Sequence, residues 1–375
     1  MKTYNIIYVL LALLIIGCSK SEEGTGGEVE QKSVDSDYVM LLTNGSNLTT
    51  QLLNANAEVI TLNPAESSLA ENTIPQLTSI DGTEFYQYHK ESDCGGKITK
   101  HDFATDKMEE ILLFDDMNDC MLTAKAIAFS DSSLFVAYEL EIDSKTHEYM
   151  IRVIDLNSGD FAFIDVPLNK KPMDLSLANN QLFIMTLDVE ISDENYLSVM
   201  DLSSNSLIHE INLGFRARRI FTNMADDIII SYDELHTTLN STNMSVVYTN
   251  YGAGTEPKFT TNTTDHFDLD GRLYYPIVSE SVSIYPEIPA VYDFSQNVVT
   301  LYAFENFLTE AKRDFEFEIE TATALNYDKE NNMILIGYKK LDKQKGGLLR
   351  IKPAPEPVFI DNIALDGVPY EIFIK

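Results

Sequence analysis

The side chains with the most chemical potential in this 375-residue chain are three cysteines, six histidines and a few clustered cations. The familiar catalytic patterns are absent. There is no Gly-x-Ser-x-Gly elbow, no His-Glu-x-x-His pair, no phosphate-cradling glycine loop and no EF-hand calcium loop. His89, His101, His147, His209, His236 and His266 are scattered, and none has a partner at metal-ligand spacing. Asp268-Leu269-Asp270-Gly271 has a calcium flavour but lacks ligands downstream, and reads as a turn favoured by Asp and Gly. With no tryptophan, the chain lacks the usual best stacking residue for a glycan platform. No catalytic residue, metal ligand or cofactor site is therefore expected.

The cations are unevenly placed. Against 59 Asp and Glu the chain has 27 Lys and Arg, a net charge of −32. That sign repels nucleic acid and anionic lipid, which both need clustered basic residues. Yet Lys125, then Lys170 and Lys171, then Arg216, Arg218 and Arg219, then Lys312 and Arg313 gather in short segments, with four of the seven arginines among them. Converging on one surface, such groups would grip a carboxylate, catecholate or phosphate of a small anionic ligand through Arg forks. The alternative is that they pair with neighbouring Asp and Glu on a solvated rim.

The cysteines divide by position. Lys2, the apolar run Ile6 to Ile16 and a small residue before Cys18 read as a signal peptide over residues 1–17, too short to span a bilayer. Ile15-Ile16-Gly17-Cys18 resembles the bacterial lipobox, which implies that Cys18 is lipidated and becomes the first mature residue. Residues 18–36 are polar, Gly-rich and acidic and read as a flexible tether. Cys94 and Cys120 remain as an even pair in an oxidising compartment, for which a structural disulfide is the expectation.

The elements that must position these groups come from a repeat of about 47 residues, each unit holding four short strands bounded by turn residues. A third-strand ending of hydrophobic residue, Asp, Leu or Phe and polar turn recurs at Ile154-Asp155-Leu156, Met200-Asp201-Leu202 and Tyr292-Asp293-Phe294. First strands begin near Pro75, Ala124, Pro172, Arg218, Asp265, Thr321 and Val368. Seven starts predict an all-β, seven-bladed β-propeller over residues 37–375. Six- or eight-bladed rings and a pair of β-sandwiches are the alternatives. Val368 to Ile374 is a first strand with nothing after it, and three strands between Tyr38 and Leu62 lack a first, so the N- and C-terminal strands are expected to pair in one blade and close the ring. In this register Cys94 and Cys120 fall on the same face, and the basic segments become inter-blade links around the channel. The longest link, from Glu305 to Glu320, is expected to carry a binding loop, or a lid that plugs the channel with Phe315 and Phe317.

The lipobox, the acidic tether and the repeat plan together resemble the β-propeller lipoproteins of Bacteroidetes-type bacteria. Some of these sit beside outer-membrane TonB-dependent transporters and pass on anionic iron chelates or other nutrients. The resemblance implies an outer-membrane address by lipid anchor, facing the cell surface or the periplasm. It further implies a binding module that captures a small ligand, such as an anionic one, or a protein at one rim, with an outer-membrane transporter or other envelope protein as partner. A structural scaffold in an envelope complex is the alternative. An enzyme such as a lactonase, lyase or glycosidase would need converging carboxylates or metal ligands in the channel. Replacing Cys18 with Ser is expected to move the protein from the detergent to the aqueous phase on detergent partitioning; retention in the detergent phase would rule out the lipid anchor.

Overall fold

A computed structural model of the chain describes residues 37–375, apart from 68, 70, 71, 118, 119, 260–264, 281, 342, 343, 354 and 355. The expected signal peptide at 1–17, the lipidated Cys18 and the tether to residue 36 lie outside the described residues. Seven antiparallel sheets form the blades of a propeller. The innermost strands are Leu77–Asp81 in blade 1, Met121–Phe129 in blade 2, Lys171–Ala178 in blade 3, Arg219–Thr222 in blade 4, His266–Phe267 in blade 5, Ile319–Asp328 in blade 6 and Val368–Ile374 in blade 7. Each begins within three residues of its expected position.

The recurring Asp has a physical cause. In blade 1 Asp102, in blade 2 Asp155, in blade 3 Asp201 and in blade 5 Asp293 end the third strand, and each carboxylate accepts the backbone N–H of a residue two or three further on, at 2.9 to 3.0 Å. Asn240 takes the same role in blade 4 and Asn56 in blade 7. This Asx turn satisfies backbone donors that a tight reversal would otherwise leave open, and so fixes where the fourth strand starts.

Burial follows the position of a strand within its blade. The second strand of blade 2, Ser133–Asp143, buries Leu134, Phe135, Val136, Ala137 and Tyr138 in succession, because neighbouring blades cover both of its faces. The outermost strand, Phe163–Leu168, is exposed at alternate positions and beyond. The core is accordingly divided into clusters between neighbouring blades, with the largest spanning blades 4 to 6.

Blade 7 is composite, as expected. Val368–Ile374 pairs antiparallel with Tyr38–Asn44, Met40 opposite Ile372, and Asn47–Ala55 and Ile60–Leu62 complete the sheet outward. Phe373 of the closing strand packs against Phe103 at 4.4 Å and Phe85 at 5.8 Å, joining blade 7 to blade 1. On the opposite side of blade 1, Cys94 lies in the loop between its second and third strands and Cys120 in the link to blade 2. They are joined as a disulfide with Cα atoms 5.3 Å apart, within the ordinary range. The bond closes a loop of 26 residues, which stabilises by about 3.5 kcal/mol in the chain-entropy estimate.

The link before blade 6 does carry helical turns, Phe304–Asn306 and Ala311–Glu316, but it does not plug the channel. Phe317 is buried against Phe359, while Phe315 is 79% exposed, and neither lines the channel. Among the described residues no helix is long and apolar enough to cross a membrane. Truncating the fully buried Phe373 to Ala is expected to cost about 3–5 kcal/mol in urea unfolding, and Phe315 to Ala less than about 0.5 kcal/mol. Equal losses would contradict the closing role of the C-terminal strand.

Candidate functional site

The innermost strands surround a channel of about 1500 Å3. Successive residues of a strand face opposite ways, so alternate positions of each innermost strand meet the channel water. At the start of blades 3, 4 and 5, and in the middle of the closing strand, these positions carry charge instead of aliphatic side chains.

Five side chains form the charged wall. Arg219 is buried, lies 4.6 Å above the Phe221 ring and donates from Nη2 to Asp265 Oδ2 at 2.5 Å. The other oxygen, Asp265 Oδ1, is buried and has no hydrogen-bond partner among the described residues. Burial pushes the Asp265 carboxyl above the usual range, with Arg219 and His266 opposing. Asp174, on the innermost strand of blade 3, accepts the backbone N–H groups of Leu175 and Ile220, both at 2.9 Å, so it also ties blade 3 to blade 4. Loss of bulk water pushes its carboxyl up to about 6, against the pull of the Ile220 N–H and Arg219. His266 Nε2 meets Glu371 Oε1 at 2.7 Å, joining blade 5 to blade 7 past blade 6. The innermost strand of blade 6 presents only Ala322, Thr323 and Ala324 near its middle, and these short side chains leave room for that crossing.

Two further regions complete the lining. On blade 2, Lys125 Nζ sits 2.7 Å from Glu139 Oε2. At the mouth formed by the turns between first and second strands stand Asp37, Asp81, Asp328 and Glu330, with Lys329 and Lys375. Asp81 is raised by burial and by the nearby charges of Glu84 and Asp131. The lining thus holds seven carboxylates against Lys125, Arg219, Lys329 and Lys375, so the channel potential is negative. No group of three or more His, Cys, Asp or Glu among the described residues is arranged to hold a metal ion.

The expected convergence of cations on the channel holds for Lys125 and Arg219 alone among those eight. Lys170 Nζ pairs with Glu210 at 2.7 Å and lies 4.1 Å from the Tyr196 ring centre. Lys171 reaches Glu139 at 3.3 Å, and Arg218 forks onto Asp233 at 2.8 and 2.7 Å. Arg216 is exposed near Asp233, Lys312 covers the Phe359 ring at 4.0 Å, and Arg313 sits half-buried in the short helix of the following link. None of these six lines the channel. The rim cations are mostly spent on adjacent carboxylates and rings, and the anion grip expected of them is not assembled. Asp174, Asp265, His266 and Glu371 were missed as a group because they come from three blades whose first strands lie far apart in sequence. The available signal was a charged residue interrupting an otherwise apolar first strand.

No family model matches the chain, and no curated protein does. Among solved structures, a putative 6-phosphogluconolactonase from Bacteroides uniformis superposes with a TM-score of 0.52 at 10% identity, over 91% of this chain and 100% of that one. A functionally unknown protein from Desulfotomaculum acetoxidans superposes with a TM-score of 0.50 at 11% identity, over 90% of this chain and 99% of the other. What they share is the propeller fold. At such identities the likeness extends to architecture and to no residue of the channel.

The raised Asp174 gives a signed prediction. A folded value near 6, above the unfolded value of about 3.9, means that the folded chain holds this proton more tightly. The resulting stabilisation is complete below pH 4 and is lost as pH rises through 6. Asp174→Asn cannot ionise, so its melting temperature relative to wild type should rise between pH 4 and 7.5. A difference independent of pH would show that Asp174 titrates normally.

Proposed function

We propose that this protein is a lipid-anchored envelope binding module whose central channel takes up a small, polar, positively charged molecule. The observation that carries this reading is the charge of the channel wall. Carboxylates outnumber cations there, and buried Asp265 Oδ1 lacks a hydrogen-bond partner among the described residues, so a ligand donor would satisfy it. Arg219 holds Asp265 in place from one side, leaving the free oxygen as the acceptor. The sign is the opposite of the anionic ligand suggested by the linear clusters of Lys and Arg, because those cations are occupied elsewhere. The assignment is one of binding, and no reaction step is attributed to these side chains.

The address supports the same role. Lipidation at Cys18 after removal of residues 1–17 would anchor the protein in the outer membrane. A propeller so anchored would be able to meet an outer-membrane transporter or another envelope protein in the same bilayer and exchange cargo with it.

Isothermal titration calorimetry with spermidine and arginine methyl ester as cations, and citrate and phosphate as anions, tests the channel assignment. The cations are expected to bind, at least tenfold more weakly after the combined substitution Asp174→Asn and Asp265→Asn. Affinity should also fall from pH 7.5 to 5 as Asp174 takes up its proton. Binding of the anions instead, or of neither class, would overturn the reading.

A further inference from the structure

A second concavity lies on the rim, between blades 1 and 2 and away from the channel lining. It encloses about 680 Å3 and is floored by the Cys94–Cys120 disulfide, Met117, Met121 and Ile142. Its edge carries Asp93, Glu141 and Asp143. Met121 and Ile142 are 57% and 58% exposed, a costly placement for side chains that elsewhere fill the inter-blade clusters.

The groove is held in shape. Besides the disulfide, the Leu122 N–H donates to the Asp93 carbonyl at 2.9 Å, pinning the start of blade 2 to the blade 1 loop. Asp143 accepts the N–H groups of Lys145 and Thr146 at 2.8 and 2.9 Å, which fixes its carboxylate in a turn and favours the charged form. Local cations neutralise the edge only in part. Lys90 donates its ammonium to the Leu122 carbonyl at 2.9 Å, and His147 lies against Glu139 and also acts on Asp143, while neither Asp93 nor Glu141 takes part in an ion pair among the described residues. An apolar floor ringed by three carboxylates complements an aliphatic side chain flanked by ammonium or guanidinium groups. Thioether side chains adapt their shape to such an insert.

We propose that this groove docks a basic, aliphatic segment of a partner protein, in which Leu-like side chains enter between Met117, Met121 and Ile142 while Lys or Arg meet Asp93, Glu141 and Asp143. A second copy of this chain does not fit, since each carries a net charge of −32. The site is independent of the channel: it stands if the channel binds nothing.

The probe is the peptide acetyl-Lys-Leu-Lys-Leu-Lys-amide, titrated into protein labelled with 13C at the methionine methyl groups, with acetyl-Glu-Leu-Glu-Leu-Glu-amide and spermidine as controls. Saturable shifts of the Met117 and Met121 signals are expected with the basic peptide alone, while Met173 in the channel stays in place. Glu141→Lys should weaken binding at least tenfold and Ile142→Ser several-fold. Both side chains are exposed, so folding is retained. Asp270→Lys, in a first-to-second-strand turn of blade 5, should have no effect. The proposal is overturned by absence of saturable shifts, by equal weakening in the Asp270→Lys variant, or by spermidine binding as tightly as the peptide. Those last two outcomes would mean that diffuse charge, and not the groove, is being read.

Discussion

The pairing of Tyr38–Asn44 with Val368–Ile374 is the interaction on which the remaining structure rests. It supplies blade 7 with its innermost strand and removes the one sheet edge that a ring of six complete blades would leave open. Two inter-blade clusters depend on it directly: Ile372 packs with Leu335 and Leu348 of blade 6, and Phe373 with Phe85 and Phe103 of blade 1. The same strand delivers Glu371 to His266, so closing the ring and building one wall of the channel are a single event.

Charge is used in two distinct ways. Arg152 and Arg350, both fully buried, act as structural forks. Arg152 binds Asp116 and Asp165 with four donors between 2.6 and 2.9 Å and stacks 3.9 Å from the Phe163 ring centre. Arg350 pairs with Asp361 and donates to the Asn56 carbonyl, holding the outer edge of blade 6 to blade 7. Every fork is saturated, which is what makes a buried guanidinium tolerable. Arg219 differs in its partner: among the described residues Asp265 keeps one buried oxygen without a hydrogen bond. The forks of Arg152 and Arg350 glue elements together, whereas the Arg219–Asp265 pair leaves acceptor capacity on a residue of the channel lining.

The blade count and the closure were legible because they follow from turn chemistry, and the Asp that ends a third strand writes the same Asx turn into several repeats. Which cations face the channel was not legible. Arg218 and Arg219 are adjacent in sequence and equal in type, yet one forks outward onto Asp233 and the other inward onto Asp265. Only the register of a four-residue strand separates them, and a shift of one residue would exchange their roles. The Cys94–Cys120 bond was legible for the opposite reason, since its loops had to share a rim whatever the local register. The groove that the bond floors was not, because Met117 lies in the link between blades 1 and 2 and Ile142 at the far end of blade 2's second strand, and only the fold brings them to one concavity.

The composite blade also imposes an order of events. An ordinary blade can pair its four strands as soon as they emerge, because all its contacts are local in sequence. Blade 7 must wait for the last eight residues, while the three N-terminal strands that will join them present an unpaired edge until those residues are made. Long-range closure of this kind is slow and exposes strand edges to other chains. The interval between synthesis of residue 38 and synthesis of residue 374 is therefore the period in which the chain most needs protection from its neighbours.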